Sequence, residues 1–203
     1  MYNKLPHCFF LDEHVPELAR SLLGCRLWTR TNSRTTAGVI VETEAYDGIK
    51  DKASHAYGGR RTSRTKIFYH TGGIAYTYLC YGIHTLFNII TGPEEIPHAI
   101  LIRAIAPCEG VDVILERRGQ KRLKRNTAGG PGLVSQALGI TRAHNGLPVD
   151  GNQIWLTEPF VHEKPAQEEI VASPRVGIDY AGKDAYLPWR FRVSSSPWTS
   201  PAK

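Results

Sequence analysis

Apolar positions along the chain change period several times, and each change marks an element. In DEHVPELARSLLGC, Val15, Leu18, Ala19, Leu22 and Leu23 recur at helical spacing, and Gly24 supplies a stop, so a scaffold helix is expected from Asp12. Residues 37–46, AGVIVETEAY, are rich in β-branched side chains and read as a strand. Strict alternation there puts Ile40, Glu42, Glu44 and Tyr46 on one face and Val39, Val41, Thr43 and Ala45 on the other. Three more strands follow at 74–81, 85–90 and 98–106, separated by short turns on Gly82 and Gly92-Pro93, which makes an antiparallel meander.

Residues 109–118 read as a short helix, and Gly130-Pro131-Gly132 opens another that Gly139 ends. The last third alternates strand-like runs (IWLTEPF, PRVGIDYAG, PWRFRVSSSPW) with proline-rich turns, and no repeat or internal boundary interrupts it. Strands adjacent in sequence with helices outside them indicate one α+β domain over residues 1–203, built on a curved antiparallel sheet. Residues 1–8 and 199–203 are expected to be flexible ends.

Composition narrows the class. The 203 residues, 41% of them hydrophobic, suffice for one core, and no apolar run is long enough to span a bilayer or serve as an export signal. A soluble cytoplasmic protein follows, nucleoid-associated if the source is prokaryotic. Cysteines 8, 25, 80 and 108 form no C-x-x-C pair, which argues for reduced, mostly buried thiols and against a zinc finger or disulfide scaffold. Lysine and arginine number 25 against 19 acidic residues, a net charge of +6, and this points to an anionic partner.

The positive charge is clustered. Arg60, Arg61, Arg64 and Lys66 form one run, and Arg117, Arg118, Lys121, Arg122, Lys124 and Arg125 a second, a pattern suited to a phosphate backbone. Glu42 and Glu44 share a strand face, and either could serve as a general base or stabilise a developing cation. Arg103, in the otherwise apolar HAILIRAIA, needs a buried partner; it is either a structural ion pair or one half of a Glu/Arg pair that holds a water. Six of the nine tyrosines, Tyr46, Tyr57, Tyr69, Tyr76, Tyr78 and Tyr81, gather around this sheet with His55 among them. Tyr81 stands at a hairpin tip, where an aromatic side chain can wedge between base pairs. The carboxylates near His55 match no metal-ligand spacing, so no metal is expected.

The motifs VETEAY (41–46), HAYGGRRTSR (55–64), Tyr81-Gly82 with Asn88, LIRA (101–104) and GIDYAG (177–182) occur in that order. Together they resemble the alkyladenine (3-methyladenine) DNA glycosylase family of base-excision repair over about residues 9–198, without the long N-terminal extension of its mammalian members. The resemblance implies a compact domain whose β-hairpin enters the minor groove. By motif, Tyr81 is the intercalating residue, and the flipped base lies between Tyr46 on one side and His55 with Tyr78 on the other. Glu44, rather than Glu42, corresponds to the general base, Arg103 to the arginine that holds the water, and Asn88 to the side chain that disfavours normal guanine.

The implied reaction is hydrolysis of the N-glycosidic bond of damaged purines (3-methyladenine, 7-methylguanine, hypoxanthine, ethenoadenine) in double-stranded DNA by a monomer. It needs no cofactor, and no lysine falls on a motif position for a Schiff-base lyase step. Arg60, Arg64, Arg117, Arg118, Lys121 and Arg122 are the expected backbone contacts. A non-enzymatic nucleic-acid binder is the main competing reading. A polysaccharide hydrolase is disfavoured, since two neighbouring glutamates cannot flank a sugar from opposite sides.

Overall fold

In the computed structural model, which describes residues 3–200, the first helix, α1 (Val15–Ser21), is shorter at both ends than the apolar spacing predicts. Pro16 sits in its first turn, where an N–H would go unused. At the other end the chain turns out of the helix through Gly24, at φ +89°. A strand the sequence pattern did not reveal follows at once: β1 (Arg26–Thr31), joined to β2 (Arg34–Tyr46) by Asn32 and Ser33 at φ 52° and 61°. Two consecutive positive φ values give the tight turn whose twist matches the paired strands, and Thr31 pairs directly with Arg34.

The remaining elements are β3 (Ile74–Cys80), β4 (His84–Thr91), β5 (His98–Glu109), α2 (Val111–Arg118), α3 (Pro131–Leu138), β6 (Ile154–Thr157), β7 (Ile170–Ser173) and β8 (Arg190–Val193). All strands pair antiparallel in the order β3-β4-β5-β2-β1-β6, with β8 against the C-terminal part of β2 and β7 against β8. The architecture is the expected compact α+β domain. PRVGIDYAG, however, is not a strand: it is a loop leading into the 3-10 turns of Asp179–Tyr186. Among the described residues no helix is long and apolar enough to cross a membrane.

Strict alternation along β2 fails at one point that matters for the site. Ile40 pairs with Ile105 and Glu42 with Ala104, so Val41 is an extra residue on β2; Thr43 then pairs with Ile102, so Arg103 is extra on β5. Such bulges shift the facing of side chains and bend the strand. Ile40 therefore joins Ala45 in the main core, while the Thr43 hydroxyl donates to the Ala19 carbonyl of α1 at 2.8 Å. Glu42, Glu44 and Tyr46 point to the opposite face without Ile40.

The two faces differ in cover. Phe87, Ile89, Ile100, Ile102 and Ile105 pack under the helices with Leu18 and Leu22 of α1, Ile114 of α2, and Val134 and Leu138 of α3. Full burial of each such side chain contributes about 1.5–3 kcal/mol. The other face, bearing Tyr76, Tyr78, Asn88, Leu101 and Arg103, is covered by the loops around 47–69 and 174–189, with Pro131 of α3 and Ser200 beside them, and the site opens between the loops.

Parts of the expected flexible ends are anchored. Leu5 is buried and its N–H donates to the Leu156 carbonyl, while Thr199 and Ser200 are buried because Ser200 completes the hydrogen bonding of Glu42. Residues 1–2 and 201–203, the rest of those ends, lie outside the described residues. The cysteines are all unpaired, but only Cys25 is buried; Cys8 is exposed because it lies in the short surface helix His7–Leu11.

Candidate functional site

Seven residues singled out in the sequence, Glu44, Tyr46, His55, Tyr78, Tyr81, Asn88 and Arg103, line a single cavity of about 450 Å³. That volume is typical of a small-molecule site, and the lining is mainly aromatic and apolar with a few convergent polar groups. The six expected backbone contacts do not line it.

The two glutamates, equivalent by spacing, have different surroundings. Glu42 accepts from Arg103 Nε (2.9 Å), Arg190 Nε (2.8 Å), Ser200 Oγ (2.8 Å) and Ser200 N–H (2.6 Å), and it does not line the cavity. Burial pushes its carboxyl upward, but the two guanidiniums and Ser200 outweigh this and hold it below the usual carboxylate range. Glu44, equally buried, reaches the cavity wall: it accepts from Val176 N–H and from the Tyr46 hydroxyl, each at 2.8 Å, and lies 3.3 Å from Arg103 Nη1. Arg103 thus bridges both carboxylates. Its burial works against the charge, yet Glu44 and Glu42 raise its pKa above the ordinary arginine value.

Tyr46 forms one wall. Burial first, and the Glu44 charge second, push its phenol well above the usual range, so it remains protonated and donates to Glu44. The ring is backed by Arg175, whose guanidinium lies 4.8 Å from the ring centre. Arg175 is itself fixed by both oxygens of Asp51 and by the Ala45 and Asp184 carbonyls. No local signal marked Arg175, because its carboxylate partner is 124 positions away.

An aromatic cluster also lines the cavity. His55 and Tyr78 meet edge to face with centroids 4.9 Å apart, and Tyr76 lies 5.4 Å from Tyr78. Arg64 Nε donates to the Tyr76 oxygen at 2.9 Å, so the Tyr76 hydroxyl hydrogen is available for His55 Nδ1, 3.0 Å away. Burial, then Arg64 and Arg60, lower the His55 pKa to about 4, and the ring is neutral at pH 7. Asn88, at the cavity floor, donates to the Tyr76 carbonyl at 3.3 Å. Val176, Ile178 and Tyr180, which the sequence reading did not select, complete the rim.

The β3–β4 hairpin ends in Tyr81 at φ 50° and Gly82 at φ 71°, closed by Ile83 N–H to the Cys80 carbonyl. A left-handed tyrosine is strained by about 1–2 kcal/mol, and the turn leaves its side chain 88% exposed at the cavity mouth. Beside the hairpin turn, Gly132 of α3 allows close packing: a Cβ there would lie 2.9 Å from the His84 Cβ.

The basic runs divide by partner. Arg64 is built into the aromatic wall, while Arg61 pairs with Glu95 and lies over the Tyr69 ring. In the second run Arg117 donates to Thr36 Oγ1 and the Ala137 carbonyl, and Arg118 to the Thr127 and Asn126 carbonyls and Gln136. These two guanidiniums tie α2 to its neighbours, whereas Lys121 and Arg122 are exposed. Among the described residues no group of three His, Cys, Asp or Glu side chains could hold a metal ion.

Comparison with known proteins finds similar chains over nearly the whole length. Proteins of Chlamydia felis (48% identical; 94% of this chain and 96% of the relative), Bacillus licheniformis (40%; 94% of each) and Bacillus subtilis (40%; 98% and 97%) each bear the name "Putative 3-methyladenine DNA glycosylase". Residues 9–197 match the sequence profile described as methylpurine-DNA glycosylase, and the chain belongs to that family.

Proposed function

We propose that this DNA repair glycosylase excises damaged purines by flipping the nucleotide out of duplex DNA into the cavity and hydrolysing its glycosidic bond with a water activated by Glu44. The observation that carries the reading is the convergence of Glu44, Arg103, Tyr46, the His55/Tyr78 cluster and an exposed hairpin tyrosine on one cavity.

Each part has a physical role. The glycosidic bond cannot be reached within the stack, and extrusion costs least where damage has weakened pairing. Tyr81 fills the gap in the duplex, as apolar wedges do in minor-groove proteins. The base stacks between Tyr46 and the His55/Tyr78 wall. For cationic 3-methyladenine and 7-methylguanine this adds a cation–π contribution of about 0.5–2 kcal/mol. A neutral His55 imposes no like charge on such a base. Hypoxanthine and ethenoadenine depend instead on fit and hydrogen bonding, and Asn88 disfavours guanine through its minor-groove amino group.

As the base departs, positive charge develops on the sugar. Glu44 stabilises that charge and takes the proton from the attacking water, while Arg103 helps hold that water and orients the carboxylate 3.3 Å away. Among the described residues no lysine lines the cavity, which supports hydrolysis without a Schiff-base lyase step. Arg60, Lys121 and Arg122 are exposed and suited to phosphate contact. The test is a panel of duplexes, each with one damaged purine, with the released base identified by mass and the strand examined before and after hot alkali. Release of free base with a strand that breaks only in alkali is expected; no release from any alkylated or deaminated purine would overturn the proposal.

A further inference from the structure

Behind the Tyr76/Tyr78 wall a second, more open groove of about 740 Å³ follows the outer edge of β3, lined in part by Ser63, Arg64, Thr77, Leu79, Arg142 and Asn145. Three features mark it as built for an anion. First, Arg64 and Arg142 are both exposed, and among the described residues neither has a carboxylate partner, unlike Arg26, Arg34 and Arg61, which pair with Glu163, Glu116 and Glu95. No acidic side chain is among the lining residues. Second, Thr77 is only 6% exposed, yet its Oγ1 finds no hydrogen-bond partner among the described residues, a cost that a native site recovers through a ligand. Third, Asn145 Oδ1 accepts from the Thr77 N–H at 3.0 Å, which continues the edge contacts that Gly146 and Leu147 make with Ala75 of β3 and leaves the Asn145 amide nitrogen as a donor.

We propose that this groove is a phosphodiester-binding site in which Arg64 and Arg142 neutralise one phosphate and Thr77 and Asn145 donate to its oxygens. Arg142 and Thr77 belong to neither basic run, and only the fold brings them beside Arg64. The occupant, a backbone phosphate of duplex DNA, rests on the glycosylase reading; inorganic phosphate presents the same chemistry. The arrangement also ties strand seating to the base wall, since Arg64 Nε holds Tyr76 and Tyr76 in turn holds His55.

The test uses Arg142→Gln and Thr77→Val in the full chain, with Kd for undamaged and lesion-bearing duplexes measured across a salt series. Arg142→Gln should flatten the slope of log affinity against log salt by about one and weaken both duplexes about fivefold at low salt. Thr77→Val, nearly isosteric, should weaken binding about twofold and slightly raise the Tm of the free protein, since it removes a buried hydroxyl without a partner. Unchanged slope and affinity in both variants overturn the site. In a second arm, methylphosphonates replace one phosphate at a time around the lesion. One position should lose affinity in the wild type and lose clearly less in Arg142→Gln, where Arg64 alone remains to neutralise it, whereas equal losses in both proteins at every position contradict the contact. In a third arm, inorganic phosphate is titrated with and without duplex at constant ionic strength; saturable phosphate binding that Arg142→Gln abolishes but that duplex does not displace assigns the groove to free phosphate and overturns the DNA assignment. Normal base release by the wild type with unaltered slopes in the variants rejects the groove alone. Altered slopes without base release from any lesion reject the glycosylase reading and keep the groove.

Discussion

Glu42→Gln separates the two glutamates most sharply. Glu42 is the shared carboxylate of Arg103 and Arg190, whose side chains are 7% and 2% exposed. The amide can retain acceptance at one atom, but its NH₂ then stands where Oε2 accepts the Ser200 N–H, and the Arg103–Glu42 and Arg190–Glu42 ion pairs are both lost. Breaking a buried ion pair from one side costs about 3–5 kcal/mol. At about 2–4 °C per kcal/mol for a chain of this size, Tm should fall by about 6–20 °C.

The pH dependence has a definite sign. The folded-state pKa of Glu42 is lowered, so its stabilisation is full above the ordinary carboxylate pKa and is lost as pH falls through the lower folded value. Glu42→Gln should remove this part of the acid sensitivity. Calorimetry from neutral to acidic pH, paired with single-turnover excision below both melting points, checks the account: excision by folded Glu42→Gln should stay within about tenfold of wild type. Glu44→Gln keeps an acceptor for the Val176 N–H and should lose excision by about 10²-fold or more. A Glu42→Gln protein with unchanged Tm and excision lost to the same extent as in Glu44→Gln would refute the division of roles.

Other expectations follow from the same geometry. Tyr81→Ala should impair excision from duplex more than from single-stranded DNA, and equal loss on both substrates in single-turnover assays counts against a wedge. The His55 ring should titrate by NMR near pH 4, its stabilising neutral form losing effect as pH falls from 6.5 toward 4, and the midpoint should rise in Arg64→Gln; a midpoint near 6.5 in the wild type contradicts the buried neutral ring. Arg118→Ala should lower Tm by removing donors from the Thr127 and Asn126 carbonyls, while Lys121→Ala should leave Tm alone and flatten the salt dependence of DNA binding; the reverse pattern in melting and binding titrations would undo the sorting of the second basic run.

The meander and its hairpin were legible because β-branched runs and glycine turns are local signals. The β1–β2 hairpin escaped because RLWTRT interleaves arginine with apolar residues and its turn is Asn32-Ser33 rather than the Asn-Gly pair that usually marks two positive φ values. The paired bulges at Val41 and Arg103 were hidden for a different reason: a register shift belongs to two strands together, so alternation in one sequence stretch cannot show it. For the site, the chemistry-bearing residues could be picked out, but their ranking could not. Besides the nearby Tyr46 hydroxyl and the Arg103 Nε, what separates Glu42 from Glu44 is what β8, Ser200 and Val176 bring to them across more than a hundred positions of chain. Arg175 and the β3-edge groove depend on equally distant pairings.

The central claim is that the damaged base is held in the cavity for attack directed by Glu44. Its most direct test is the structure of Glu44→Gln bound to a duplex with a single ethenoadenine. The account predicts the intact nucleotide extruded, its base stacked between Tyr46 and the His55/Tyr78 wall, Tyr81 in the vacated position and C1′ facing residue 44. An ethenoadenine still stacked in the helix in a specific complex, with the cavity unused, would contradict it.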